Sequence, residues 1–492
     1  MMTGRLNPTA AEQHSLRRVL MLAYVFPPFY SVGGSIRVVK FIKYLCALGW
    51  LPTVLTVDDS RDLASQQREG SATLCSEIPP TVAIYRTNAG EPSRALLETG
   101  RTLRRRSRLA ATVVNTLRVL RRFAQAYLLL PDENLSWLPF AVRMGRQIIR
   151  RHEIDLIFVT CPPHSAALSG VLLKWWTGRP LVLDFRDDWI DTPWYRRKPW
   201  LSRQLERWLE RWVVHRADRV IAVTAWSHRT FLARYPHEPS TKFALIPNGC
   251  DLADFAPTEQ AEPKTAEQRF TIVHSGLLTE SADWQRSPRP LFAALAQLRR
   301  THPKKAARLQ LIFTGTLPEA TRAAMVQLGI GDLIQEVGHL PQAAYHRLLR
   351  QADLLLAINY TGFTTLIPGK LYEYWAVGAA PILLLDSGGA ASELVAHHQL
   401  GTAVPPAAVE QIYAALLMYY QQWAAGKPLQ IRREGIAAYD RKVLTRQLAA
   451  LFNAVVQPSR SGRITATTAH DHNHWSSDER RSNYHQRRLP HA

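Results

Sequence analysis

The chain reads as an α/β protein made of two doubly wound parallel-sheet domains facing across a cleft. Three observations carry this. The 492 residues, 46% of them hydrophobic, exceed the roughly 250–300 residues at which a single core stops growing. Apolar runs of five to eight residues alternate with helix-length segments almost from end to end, the signature of parallel strands covered on both faces. A polar stretch, 258–268, interrupts the alternation mid-chain and reads as a linker.

Residues 1–16 read as a disordered terminus. Arg17 to Val25 has the make-up of a signal peptide, but its apolar part is short, runs into Phe26-Pro27-Pro28 and lacks a small-residue cleavage site. A first strand fits it better. Strands are expected at 18–25, 51–57, 81–87, 154–160, 180–185, 219–223 and 243–246, within a first domain spanning 17–257. A second domain, 269–430, should hold strands at 269–275, 309–314, 333–337, 353–358, 380–385 and 401–404. Helices follow over 431–456. In 457–492 Pro, Ser, Thr, Arg, Asn and His dominate and periodicity vanishes, which predicts a disordered tail. His470, His472 and His474 read as part of that solvated tail.

The formal charge of +21 suits an anionic partner, either nucleic acid or a membrane surface. It concentrates in 94–130, where Arg101, Arg104, Arg105, Arg106, Arg108, Arg118, Arg121 and Arg122 interleave with Leu, Val and Ala. As a helix this gives an Arg-rich and an apolar face, the pattern of an element docking on an anionic membrane; a solvated helical face would look the same. Single-stranded nucleic acid would call for aromatic residues along the stretch, and only Phe123 and Tyr127 lie there, so nucleic acid is not expected. Cys46, Cys75, Cys161 and Cys250 have no paired spacing and read as reduced thiols of a cytosolic protein, neither a metal site nor a disulfide frame. No apolar run approaches the ~18–20 residues needed to span a bilayer.

The most informative stretch runs from Ile367 to Leu385. Pro368-Gly369 opens a short helix, Gly378 ends it, and Ile382 to Leu385 is a buried strand. Amides of Gly369, Lys370 and Leu371 at the helix start would attract a phosphate, reinforced by the Lys370 ammonium. Glu373, one turn in, would accept hydrogen bonds from sugar hydroxyls. A diphosphate carrying a ribose uses all these groups together. His274-Ser275-Gly276 ends the first strand of the second domain, with Arg286 and Arg289 ahead of the next helix; backbone at Gly276 plus one of these guanidiniums would face Lys370.

Gly33-Gly34, between the first strand and first helix, would let backbone approach a ligand, although a plain tight turn reads the same. It is not the full dinucleotide fingerprint, which weighs against a nicotinamide or flavin enzyme. His164, after the strand ending at Thr160, is a candidate base or substrate contact at the sheet's carboxyl edge, or a neighbour of the helix cap Ser165. Asp184, Arg186, Asp187 and Asp188 form a charge cluster at the same edge, able to hold hydroxyls of an acceptor or to satisfy itself as a salt-bridged turn. Asn248-Gly249 is turn chemistry and reads as a hinge.

Taken in order, these pieces resemble a family 4 glycosyltransferase of the GT-B fold, over about residues 17–455. The resemblance rests on Phe26-Pro27-Pro28 with Gly33-Gly34 and Arg37; Pro131-Asp132 before Trp137; Asp184-Phe185-Arg186-Asp187; Asn248-Gly249 with Asp251 and Phe255; Gly276; and Pro368 to Tyr374. It is nearest to the branch that makes capsule, exopolysaccharide and cell-envelope glycans. What the resemblance implies is two Rossmann-like domains with a C-terminal helix packing back on the first, and a retaining, metal-independent, hexosyltransferase-like enzyme without cofactor that uses a nucleotide-diphosphate-sugar. Gly33 and Gly34 would lie beneath the donor phosphates. Arg286 stands where the family usually has a lysine, and Gly369, Lys370 and Leu371 would hold the diphosphate. Glu373 matches the second of two spaced glutamates and would bind the ribose. Thr365 occupies the place of the first glutamate, beside the transferred sugar, and Asp188 stands where the branch often has proline.

Lys370 and Arg286 would then stabilise the leaving diphosphate, while His164, Asp184 and Asp187 would serve the acceptor side. The acceptor would be a saccharide or a lipid-linked saccharide presented at the cytoplasmic membrane. Two alternatives are a degenerate protein that binds nucleotide-sugar or a partner without turnover, and a GT-B nucleotide-sugar epimerase.

Overall fold

The computed structural model of the chain describes residues 16–28, 34–58, 70–89, 129–255, 269–280, 285–427 and 431–456. The terminus 1–16, Gly33, the basic segment 94–130, the linker 258–268 and the tail 457–492 lie outside these residues, wholly or nearly so.

The first sheet contains β1 (Arg17–Leu22), β2 (Trp50–Val57), β3 (Ala83–Thr87), β4 (Leu156–Cys161), β5 (Leu181–Phe185), β6 (Arg219–Ala222) and β7 (Phe243–Leu245), in the order β3-β2-β1-β4-β5-β6-β7. The second begins with β8 (Phe270–Ser275). A two-residue antiparallel hairpin, β9 (Thr279–Glu280) and β10 (Gln285–Arg286), stands apart from it. Then come β11 (Leu309–Thr314), β12 (Ile334–Glu336), β13 (Leu354–Ile358), β14 (Ile382–Leu385) and β15 (Gly401–Val404), in the order β12-β11-β8-β13-β14-β15. Counted from its own first strand, with the hairpin left out, each sheet runs 3-2-1-4-5-6, the first adding β7 at its edge, and every pairing in it is parallel.

Every strand expected from the apolar runs is present; β9 and β10 are too short to leave a period. Parallel strands need cover on both faces, and β4 and β5 are buried at every residue. Clusters centred on Leu183 and Val220, and on Met21 and Phe158, cover the two faces of the first sheet. Leu356 and Leu295, and Leu355 and Trp375, anchor the equivalent clusters of the second. β14 starts later than the apolar run because Pro381 has no N–H to give; its carbonyl still accepts from Leu355 N at 2.9 Å.

The C-terminal helix Arg441–Val456 returns to the first sheet, as expected. Leu444, Leu448 and Phe452 enter the cluster containing Phe41, Trp50 and Phe158. The Phe452 ring meets Trp50 edge-on at 5.2 Å, and Asn453 accepts from Trp50 Nε1 and Arg17, both at 3.1 Å. Each such buried side chain contributes on the order of 2 kcal/mol. The return passes Gly249, whose φ is +58° and whose absent Cβ would lie 2.1 Å from the Tyr439 carbonyl. Cys250 N then donates to Tyr439 O at 3.1 Å and Arg441 N to Cys250 O at 2.9 Å.

Candidate functional site

Open parallel sheets bind ligands beyond the carboxyl ends of their strands, where strand order reverses. In the second sheet that point lies between β8 and β13. β8 ends in Ser275, and Gly276 turns away with φ +88°. A side chain at 276 would be strained by that φ, and its Cβ would sit 3.1 Å from Lys370 Nζ. The hairpin β9–β10 then brings Arg286 back over the end of β13. There Arg286 Nε donates to Ile358 O at 2.6 Å, and the guanidinium lies 4.6 Å from the centre of the Tyr360 ring.

Opposite, Pro368 sets up the helix Gly369–Val377, which ends on Gly378 in the left-handed region (φ +65°). Lys370, in the first turn, crosses to the Ser275 carbonyl. Nothing lies within 4 Å of the position a Gly369 Cβ would take, so the helix start faces open space. Glu373 accepts from Tyr345 OH at 2.8 Å, and Tyr345 also reaches Ser275 Oγ at 3.1 Å. Tyr374 OH accepts from Ser275 N at 2.9 Å and fixes the end of β8.

Electrostatically the site is short of negative charge. Burial, then the nearby Arg286 guanidinium, hold the Lys370 ammonium well below its ordinary range, with Glu373 opposing them. Burial also lowers Arg286 and raises Glu373, the latter eased by the Tyr345 hydrogen bond and Lys370. His274 is kept neutral by burial and by the two cations. Its Nδ1 faces Leu356 O at 3.0 Å, which assigns the proton there; Nε2, fully buried, has no partner among the described residues. No carboxylate among the described residues lies within 4 Å of the Arg286 or Lys370 head groups, so two buried cations flank one carboxylate without touching it. A dianion placed there would relieve both.

The first sheet reverses order between β1 and β4. Here the helix Gly34–Leu45 starts beneath Arg186: a Cβ at Gly34 would lie 2.4 Å from its guanidinium. Arg186 donates to Pro162 O at 2.6 Å, while its buried Nε has no partner among the described residues. A guanidinium over a helix start adds positive charge to positive charge. His164 stacks on Trp189 with ring centres 5.1 Å apart, and its Nε2 donates to Asp187 O at 3.2 Å. Burial pushes its pKa down to about 4, so the ring is neutral at physiological pH. Asp132 explains the Pro131-Asp132 motif: it accepts from Asn134 N, Ser165 N and Ser165 Oγ, capping two helices at once.

Across this geometry, residues 32–249 match the model of a glycosyl transferase 4-like domain, and residues 269–422 match that of glycosyl transferases group 1. The chain belongs to the family-4-like glycosyltransferases of the GT-B fold. No curated protein matches the sequence. Among solved structures, a glycosyltransferase from Rickettsia africae covers 90% of this chain and 100% of its own at a TM-score of 0.58 and 13% identity. Sucrose-phosphate synthase from Thermosynechococcus elongatus gives 0.59 at 17% identity over 89% and 98%. Anabaena HepE in complex with UDP and glucose gives 0.55 at 16% over 89% and 100%. At these identities the likeness shows the fold alone.

In this glycosyltransferase Gly276, Arg286, Gly369, Lys370 and Glu373 come together at one sheet edge, and Gly34 lies at the matching edge of the other sheet. Four expected site residues are placed differently. Asp184 is fully buried: Arg37 grips it twice, at 2.8 and 3.0 Å, and Thr160 donates to it at 3.0 Å. Arg37 also donates to the Ile246 and Pro247 carbonyls. Asp184 is therefore an internal tie and not a group open to an acceptor. Arg289 is exposed and turns to the Ala320 carbonyl, leaving Arg286 as the cation of the pair beside Lys370. The Leu371 amide is taken by Pro368 O at 3.0 Å and its side chain is in the core, so Gly369 and Lys370 supply the open amides. Thr365 is buried with its hydroxyl turned to Asp188. Asp187 remains half-buried at the edge, its acid raised by burial.

The sequence places His274 and Ser275 at the strand end but gives them no role, and it does not mark Tyr345, which lines the second cleft with them, or Arg186 as a guanidinium over the helix start. One group of three carboxylates among the described residues, Glu77, Asp251 and Asp254, has the spacing to share an ion. The Lys40 ammonium already sits among them at 2.6 to 2.9 Å, with Lys43 alongside.

Proposed function

We propose that this glycosyltransferase moves a hexosyl group from a nucleoside-diphosphate-sugar to a saccharide, or a saccharide on a lipid carrier, with retention of configuration. The observation that carries the donor is the pair of buried cations, Lys370 and Arg286, beside the glycine turn at Gly276 and the open helix start at Gly369, with no carboxylate of the described residues in contact. A diphosphate supplies the missing charge, and Glu373 lies one helical turn away for ribose hydroxyls. That HepE was solved with UDP and glucose supports a nucleotide of this kind.

In the reaction, the bond from the anomeric carbon to the diphosphate oxygen breaks, and negative charge grows on the leaving group. Lys370, Arg286 and the helix-start amides meet that charge as it develops, which is the work a metal would otherwise do. The acceptor oxygen bonds to the anomeric carbon on the same face, and its proton passes to a phosphate oxygen of the leaving group. His164, neutral and stacked beside Asp187, would orient the acceptor. We place the enzyme in the cytoplasm, at the membrane, working on envelope glycans.

The test is a thermal-shift and turnover screen over nucleoside diphosphates and their sugars. Wild type should be stabilised by one nucleotide, by roughly 2.7 kcal/mol at about 100 times its dissociation constant, and should consume the matching sugar. Stabilisation without turnover on any acceptor, lipid-linked ones included, would leave a binding protein and refute the catalytic reading.

A further inference from the structure

The helix Trp200–Arg216 is built inside out. Its inner face carries Glu206 and Glu210, both essentially fully buried. Lys198 and Trp189 satisfy Glu206 at 2.5 and 3.2 Å; Arg234 and Tyr235 both donate to Glu210 Oε1, at 2.7 and 2.6 Å. Its outer face carries Leu201, Leu205, Trp208 and Trp212, spaced four, three and four residues apart and so aligned on one stripe. Leu201 and Trp208 are each 58% exposed and Leu205 42%. Trp212 is half-buried with its ring stacked on Trp208.

The stripe continues beyond this helix. Trp200, at its start, is 65% exposed. The neighbouring helix Ser165–Thr177 is tied to its end through Lys174, which donates to Arg216 O at 2.9 Å. That helix ends in Trp175 and Trp176, 68% and 44% exposed, with Arg146 over the Trp176 ring at 5.0 Å. All four exposed tryptophans of the described residues therefore belong to these two helices. Between and beside them Arg196, Arg207, Arg211 and Arg216 are exposed, while both acids of the helix Trp200–Arg216 point inward. The face is apolar and aromatic, and the exposed charges of the helix Trp200–Arg216 are all basic.

We infer that this tryptophan–arginine face of the first domain docks the protein on an anionic lipid bilayer. Indole rings are favoured at the depth of the headgroups, leucines reach the acyl boundary, and arginines pair with anionic lipids while their stems lie along apolar surface. The charge sign selects the occupant. A second copy of the same face would set arginine against arginine. A nucleic acid strand would gain nothing from Leu201 and Leu205, and it is usually held in a groove, not on a convex helix. The inference uses no residue of 94–130 and none of the cation pair at Lys370, so it does not depend on the donor reading.

The test uses the full chain in flotation with vesicles of phosphatidylcholine alone or mixed with phosphatidylglycerol. Wild type should float with the anionic vesicles, less so at high salt, and stay behind with the neutral ones. Arg196→Gln, Arg207→Gln and Arg211→Gln together should weaken binding about a hundredfold, near fivefold for each charge. Trp200→Ser with Trp208→Ser should weaken it by about tenfold or more. These side chains are exposed, and an unchanged thermal midpoint with nucleotide would show that the variants fold and that the donor site is intact. Vesicle binding equal to wild type in the tryptophan variant would overturn the inference. So would a wild type that ignores anionic vesicles but self-associates through this face in light scattering.

Discussion

Asp188 gives the sharpest physical test of how the two halves of the molecule are joined. It follows β5 in the first domain, is buried, accepts from Ser227 Oγ at 2.7 Å and lies beside the Thr365 hydroxyl of the second. No cation among the described residues pairs with it; burial pushes its pKa from 3.8 up to about 7, the two hydroxyls oppose this, and Asp191 and Glu210 add to it. A raised acid pKa means that the native state holds a proton the unfolded chain has lost. Stability must then fall as pH rises between the two values, and the loss is complete above the folded one. About three pKa units at ~1.4 kcal/mol each give a penalty on the order of 4 kcal/mol above neutral pH. Asp188→Asn keeps the shape and removes the ionisation. Denaturant unfolding of both proteins from about pH 5 to about pH 8 should show the variant gaining on wild type by ~1.4 kcal/mol per pH unit up to about pH 7, and then by no more. A stability difference that stays constant over this range would mean that Asp188 is solvated or paired, and would refute the buried interdomain contact.

Three further outcomes follow from the same geometry. Lys370→Ala should lose nucleotide-induced thermal stabilisation while leaving the empty protein as stable as wild type or more so, because a desolvated ammonium is removed; an unchanged nucleotide shift would exclude Lys370 from the donor site. Asp184→Asn should lower unfolding stability by about 3–5 kcal/mol, since it leaves Arg37 buried with half its partner, yet keep turnover per folded molecule within a few-fold at low temperature; a large loss of turnover without loss of stability would restore Asp184 to the chemistry. Gly276→Ala, forced into a left-handed conformation that costs about 1–2 kcal/mol and crowding Lys370, should weaken nucleotide binding more than it lowers the thermal midpoint of the empty protein. Equal effects on both would make Gly276 a purely structural turn.

The strands were legible because parallel sheets bury both faces, and runs such as Leu156 to Cys161 are apolar without alternation. The helix Gly369–Val377 was legible from its punctuation, with Pro368 before it and Gly378 at its left-handed end. Asp184 was misread for a physical reason. A carboxylate at a strand's end looks like a site residue when its partner, Arg37, stands 147 positions earlier. Tyr345 and His274 show the converse, since nothing local marks a tyrosine that only packing brings to Glu373. The helix Trp200–Arg216 shows a third limit. Its period separates two faces, but which face turns inward depends on Lys198 and Arg234 waiting for the two glutamates, and these lie outside the helix.

Like Arg286, Thr365 and Asp188 are positions where the chain departs from the pattern it otherwise resembles, and the structure sets these two side by side, both buried. Read separately, Thr365 looks like a lost carboxylate and Asp188 like a stray one. Read together, a carboxylate has left the second domain's loop and another has arrived at the same loop from the first domain. The consequence is mechanical as well as chemical. A carboxylate on residue 365 would travel with the nucleotide-binding half whatever the cleft does, whereas Asp188 meets that loop only when the halves are together. Trp194 and Phe363 meet edge-on at 5.0 Å in the same seam, and Arg229 bridges to Glu393 beside it. The two halves therefore meet in this seam through contacts that neither makes alone. An ionised carboxylate without a counter-charge is costly in a dry seam, so the raised acid at Asp188 ties the stability of this contact between the halves to its proton, the dependence that Asp188→Asn removes.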